Sequence, residues 1–295
     1  MFRYYGFLGL ISILSAYLLS FSNAIPHLSI NKSLNNFLLL AGLWLFFDAI
    51  DFKLNKTSLL HKIKSKAKIV LYLILIGVLT GLFVEYFGAS VSNLWGDRFY
   101  NALGKKPFYE VVLIFLSKVI AISYVLLLPA VYSIYHVFNH IFGKLKFKHD
   151  FKKKEKAIFY YLGLLGIIFI IIPIPLVMFL DLLPLVRSLL FGLPLLGLWF
   201  ILEYVEHSQH KRSLLMDLLE FREGKLIAIV ITSLLLGLLI EGLNNIAPAW
   251  SYKNIPFASV GIFGIPIIIL LGWIPLIVIF LSFYRVFIKE NDHIF

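Results

Sequence analysis

Apolar and polar positions along this chain fall into long blocks. Runs of about 20 mostly apolar residues are separated by short charged segments, which is the pattern of membrane-spanning helices. The blocks cover residues 4–21, 34–51, 69–88, 108–138, 157–178, 184–205, 225–243 and 261–287. They predict an all-α integral membrane protein with eight transmembrane helices. The block at 108–138 is too long for one simple crossing and is interrupted by Pro129. Pro173 and Pro175 should bend the fifth span, because proline removes a backbone donor and clashes one turn back. Gly264, Pro266, Gly272 and Pro275 make the last span irregular.

The blocks repeat. Gly197-Leu198-Trp199 stands 155 residues after Gly42-Leu43-Trp44, and Ser213-Leu214-Leu215 stands the same distance after Ser58-Leu59-Leu60. Glu203 and Glu206 echo Asp48 and Asp51, Glu241 echoes Glu85, and Trp250 echoes Trp95. A steady offset across separate features reads as a duplication. It predicts two parallel four-helix repeats, residues 1–142 and 157–295, joined by a basic cytoplasmic linker at 143–156. A signal peptide is the rival reading of the first block, with Ser22-Asn23-Ala24 as a small-residue cleavage site. The repeat argues for a retained span, since Tyr160-Tyr161 opens the fifth block as Tyr4-Tyr5 opens the first.

Charge then orients the blocks. The chain of 295 residues has a net charge of +11. With both termini inside, 20 of the 27 Lys and Arg residues fall in cytoplasmic segments, including six lysines in 52–68 and seven in 143–156. That asymmetry sets orientation in a cytoplasmic membrane. It also accounts for the positive charge without nucleic acid, and no basic groove interleaved with aromatics is present. The absence of Cys excludes disulfides, thiolate metal sites and cysteine nucleophiles. Four spans per copy gives the copies one orientation, so the axis relating them runs along the membrane normal.

Candidate chemistry lies at both ends of the spans. Glu85 and Glu241 each fall about 15 residues into a helix, roughly 22 Å from its cytoplasmic start. An ionisable group at that depth is a functional candidate. Lys118 is the expected partner. Its counterpart by offset is Trp273, so it breaks the repeat. The outer loops carry Trp95 and Tyr100 in one copy, and Trp250 and Tyr252 in the other, with Asn244 close behind Glu241. An interfacial aromatic belt would explain the rings alone. The repeated Glu-then-Trp spacing points instead to a shared folded motif. These features make Glu85, Glu241, Lys118, Asn244, Trp95, Trp250 and Tyr252 the candidate ligand-binding set.

At the inner face, Asp48 and Asp51 share a helix face at i, i+3, as do Glu203 and Glu206. His207 and His210 extend the second pair. Carboxylate and imidazole on one face can hold a metal. Copy one has no matching histidine and no HExxH is present, so no metal is assigned. A solvated helix end facing Lys211 and Arg212 is the plainer reading. Asp48 and Asp51 invite comparison with the aspartate-rich motifs of membrane prenyltransferases, but those carry a longer aspartate run plus Asn in both halves, and here the second half has glutamates and no Asn. There is no P-loop, nucleophile elbow or dinucleotide fingerprint, and no cofactor is expected.

The run FDAIDFKLNKTSLL, an acid in the next span and a Trp-x-Tyr in the following loop together resemble a group of bacterial polytopic membrane proteins of unassigned function. Trp-x-Tyr is intact as Trp250-Ser251-Tyr252. In copy one Asp97 takes the tyrosine's place. The resemblance implies a membrane protein and carries no activity. The sequence leads to binding or movement of a small polar or amphipathic ligand, such as a lipid headgroup. The alternatives are an enzyme acting on a lipid or isoprenoid, with the same carboxylates as acid or base, and a non-catalytic membrane assembly protein.

Overall fold

The computed structural model describes residues 4–23, 32–96, 112, 120–143, 155–210, 213–219, 223–253 and 255–288. Lys118, Asp97, Tyr100, Lys211 and Arg212 lie outside them, as does most of the expected linker. The regular structure among the described residues is helical apart from two small ribbons. The N-terminal half contains α1 (Tyr4–Asn23), α2 (Lys32–Asn55), α3 (Leu59–Ser65), α4 (Lys68–Glu85), β1 (Trp95–Gly96) and α5 (Ile120–Phe142). The C-terminal half contains α6 (Glu155–Ile171), α7 (Pro173–Phe179), α8 (Pro184–Leu189), α9 (Gly192–His210), α10 (Leu214–Leu219) and α11 (Glu223–Ile246). It continues with β2 (Ser251–Tyr252), β3 (Gly261–Ile262), β4 (Ile265–Pro266) and α12 (Ile267–Ile288).

Among the described residues, seven helical stretches are long and apolar enough to cross a membrane. The expected second span, α2, is not one of them. At 24 residues it has the length, but it carries Asn35, Asn36, Asp48 and Asp51. The prolines act as expected only in the fifth block, since the helices at Pro129 and Pro275 continue without the expected interruption. Pro173 and Pro175 divide the fifth block between α6 and α7, while Pro129 and Pro275 sit inside α5 and α12.

The packing follows glycine where backbones meet. α1 crosses α2 with Gly9 against the Gly42 carbonyl, and α6 crosses α9 with Gly166 against the Gly197 carbonyl. A methyl group at any of these four positions would meet backbone, so the helices approach as close small-residue contacts allow. α2 then packs on α5, and α9 on α12. The centre is formed by α4, α5, α11 and α12, with α5 touching α11 and α4 touching α12. Tyr132 and Tyr284 stack there with ring centroids 3.9 Å apart. One core cluster of buried residues runs through both halves. The outward sides of α1 and α6 leave large apolar side chains exposed, including Leu8, Ile11, Leu14, Ile158, Leu164 and Ile168. That is the surface a bilayer would cover.

Candidate functional site

Glu85 is the last α-helical residue of α4, and the chain continues as a π-helical turn, Tyr86–Val91. Such widened turns recur at functional sites. Asn93 adopts a left-handed φ of 51° and reverses the chain. The reversal lays the Trp95 ring directly on Gly88, where no side chain could fit. From there Trp95 Nε1 donates to Glu85 Oε2 at 3.1 Å. Tyr124 of α5 donates to the other oxygen at 2.8 Å. Glu85 is buried, with 7% of its surface exposed.

The second acid is built from the same donor types in other places. Glu241, 2% exposed, lies on α11. Tyr252 donates its hydroxyl to Glu241 Oε1 at 2.6 Å, and Trp273 of α12 donates its indole N–H at 3.2 Å. Trp250 bonds to the same carboxylate. Asn244 holds the returning loop. Its Oδ1 accepts from Ala249 N at 2.9 Å and Trp250 N at 3.1 Å, and its Nδ2 donates to Trp250 O at 3.1 Å. Burial first, and then the Glu241 carboxylate, hold the Tyr252 phenol well above its ordinary pKa. Tyr252 therefore stays protonated and remains a donor.

One ribbon covers both acids. β1 and β2 pair antiparallel, with Trp95 opposite Tyr252 and Gly96 opposite Ser251. Lys253 N extends the pairing by donating to Leu94 O at 2.7 Å. Directly opposed residues in a ladder project to one face. Trp95 and Tyr252, each bonded to its own carboxylate, therefore stand side by side, rings T-shaped at 6.5 Å. Phe191 packs edge-on against Trp95 at 5.1 Å. Arg187 of α8 completes this end by donating to the carbonyls of Val91 at 2.7 Å and Ser90 at 3.2 Å. It thereby caps the end of the π turn, where a cation is favoured.

No protein-family model, curated protein or solved structure matches the chain.

Six of the seven outer candidates thus lie in one assembly. Lys118 falls outside the described residues. Tyr124 was not anticipated. Trp273 was, but only as the residue aligned with Lys118. The signal for both is chemical: among the described partners the acids take indole and phenol donors, Trp95 and Tyr124 at Glu85, and Trp250, Tyr252 and Trp273 at Glu241.

The inner acids are not solvated. Asp48, Asp51, Glu203 and Glu206 are buried, because the chain turns back over them as the short helices α3 and α10. Asp48 Oδ1 accepts from Leu60 N at 2.9 Å, and its Oδ2 from Ser58 at 2.8 Å and Tyr5 at 2.9 Å. Glu203 accepts from Leu215 N at 2.8 Å and Trp199 Nε1 at 2.6 Å. Each acid thus satisfies free N–H groups at a helix start, where negative charge is favoured. Asp51 faces His136 Nδ1 at 3.5 Å, and Glu206 accepts from Arg285 Nε at 2.5 Å. Arg285 also reaches Asp217 at 3.1 Å, and Lys225 reaches it at 2.8 Å. The His207 ring stacks on Phe159 with centroids 4.1 Å apart, away from the histidine–carboxylate set the spacing suggested. Among the described residues, no group of three or more His, Asp or Glu is arranged to hold a metal. The side chain of His210 lies outside them.

Proposed function

We propose that this chain is a cytoplasmic-membrane protein of eight spans, two parallel four-helix halves related by a two-fold axis along the membrane normal. It binds a small amphipathic ligand with a cationic head through Glu85 and Glu241 at the outer end. The repeat is supported by features that recur at nearly one offset. These are the Gly9–Gly42 and Gly166–Gly197 crossings, the Ser58 and Ser213 helix caps, and the acids that accept from Leu60 and Leu215. Gly96 and Ser251, one offset apart, face each other in the ribbon as residues on such an axis must. α2 supplies the eighth span, packed between α1 and α5. The lysine asymmetry supports cytoplasmic termini.

The observation that carries the function is the pairing of two buried carboxylates, one from each half, beneath a single aromatic ribbon. Carboxylates supply charge for an ammonium group, and Trp and Tyr rings add cation–π attraction. At the inner end Asp48 and Glu203 cap α3 and α10, and Glu206 holds Arg285. The test is thermal unfolding in maltoside detergent with short-chain phosphocholine or phosphoethanolamine lipids, against phosphatidylglycerol of equal chain length. Ligand binding to the folded state raises the midpoint with concentration. The amine-headed lipids should do so, and Glu241→Gln should abolish the response. Equal stabilisation by phosphatidylglycerol, or a full response in Glu241→Gln, would reject the site. No response to any lipid would favour the assembly-protein reading, for which the continuous buried core is the supporting observation.

A further inference from the structure

Between the ribbon and α12 lies a second hairpin whose chemistry the acid site does not use. β3 and β4 pair antiparallel around Phe263-Gly264. Both turn residues have positive φ, 53° and 78°, as a two-residue type I′ turn demands. The first position of that turn favours Asn, Asp or Gly, and here it holds phenylalanine. Upstream, Phe257 is also left-handed, at φ 54°. A bulky side chain with positive φ is an outlier. Two in one loop, both phenylalanine, call for a reason.

Packing against the protein is not the reason. Phe263 is 87% exposed and Phe257 75%. Val260 and Ile262 between them are exposed too. The hairpin is nonetheless held in place. Ile267 N donates to Val260 O at 2.9 Å, and Asn245 Nδ2 donates to Phe263 O at 3.2 Å. Ile265 is buried with Ile269 and Leu270 against Leu238 and Tyr252. A firmly seated loop therefore presents a strained tip whose exposed side chains are apolar apart from Ser259.

Its position identifies the occupant. The hairpin runs straight into α12, one of the seven helices able to cross a membrane. Ile267 and Leu271, on the first turns of α12, are exposed and continue the same apolar surface. The tip thus lies at the level where that helix enters the bilayer, and its surface is continuous with the helix's lipid face. We propose that the 257–263 tip inserts into the leaflet on the ribbon side, with Phe257 and Phe263 seated among the upper acyl chains. The Trp250–Tyr252 loop and its acid would then be pinned at the lipid interface. The inference stands on the hairpin alone, whether or not a ligand binds the acids.

The chain has no cysteine, so a single introduced one takes a spin label at one site. Phe257→Cys, Phe263→Cys and Ser65→Cys are labelled in the full chain, in phosphatidylcholine–phosphatidylglycerol nanodiscs. Ser65 is exposed among Lys64, Lys66 and Lys68 and supplies the aqueous comparison. The labels at 257 and 263 should be accessible to oxygen and shielded from a water-soluble nickel chelate, and the label at 65 the reverse. Nickel accessibility at 257 and 263 equal to that at 65 would overturn the proposal. Phe263→Asn guards against a folding artefact. Asn tolerates the left-handed backbone, so the unfolding midpoint should hold or rise. A fall of more than about 4 °C would mean that the ring packs on protein, and would overturn the proposal too.

Discussion

The two outer acids receive the same chemistry by different construction. In the N-terminal half the loop supplies the indole, Trp95, and the last helix supplies the phenol, Tyr124. In the C-terminal half the loop supplies an indole and a phenol, Trp250 and Tyr252, and the last helix supplies a second indole, Trp273. Three residues beyond each acid the devices differ again. Gly88 makes room for a ring, whereas Asn244 ties down a backbone. What is preserved is a loop tryptophan on each buried carboxylate, Trp95 and Trp250, while the other donors differ in type and place. The inner ends differ in charge instead. Lys62 donates to Tyr132 at 2.7 Å in the first half, while Asp217, 155 residues later, holds Arg285 in the second.

The largest expected effect separates the inner ends. Arg285→Met leaves Glu206 and Asp217 buried beside a lost cation, a change that typically costs about 3–5 kcal/mol. His136→Phe removes the Asp51 contact while keeping a ring beside Tyr132, and should cost about 1 kcal/mol. Thermal unfolding in detergent should therefore show a drop several times larger for Arg285→Met. Equal drops would mean that the two inner ends are alike after all.

The next effect separates the loop devices. Asn244→Ala strips two acceptor bonds and one donor bond from the Ala249–Trp250 turn and should cost about 2–3 kcal/mol. Gly88→Ala forces the Trp95 ring off its seat and should cost about 1–3 kcal/mol. The two variants should be told apart by fluorescence. Gly88→Ala should shift emission from a displaced indole, while Asn244→Gly, which makes the second half resemble the first, should lose stability without restoring a ring-on-glycine contact. Recovery of full stability in Asn244→Gly would erase the distinction.

The smallest effect tests the phenol donors. Tyr124→Phe and Tyr252→Phe each remove one phenol bond to a carboxylate and should each cost about 1.5 kcal/mol. Because the donors of each acid come from its own half, the double variant should be additive within about 0.5 kcal/mol. Strong non-additivity would show that the ribbon couples the acids directly.

Much of this arrangement was legible in the chain. The recurring Glu-then-Trp spacing pointed to a shared folded motif near each glutamate. Ser58 and Ser213 stood out as recurring positions, but the helix starts they cap were read as loop. The partners on the last helix of each half were not legible. Which residue of α5 or α12 reaches an acid depends on helix rotation. The offset fixed by the earlier features fails there, since Tyr132 and Tyr284, which stack at the centre, are 152 residues apart. The burial of Asp48, Asp51, Glu203 and Glu206 was hidden for another reason. Nearby lysines suggested solvent, yet the acids are covered by backbone N–H groups of α3 and α10, which side-chain chemistry cannot reveal. α2 matched the expected span in length, but its asparagines and aspartates keep it out of the plainly apolar set.

The ribbon has a consequence for timing. Trp95 leaves the ribosome 157 residues ahead of Tyr252, its partner across the ladder. At about 5–20 residues per second, the first loop waits roughly 8–30 s for its mate. Glu85 need not wait with it, because both of its donors, Trp95 and Tyr124, belong to the half already made. Glu241 is likewise served by Trp250, Tyr252 and Trp273 from the later half. Each acid draws its described donors from its own half, and the ladder between the two loops cannot form until Tyr252 has been made.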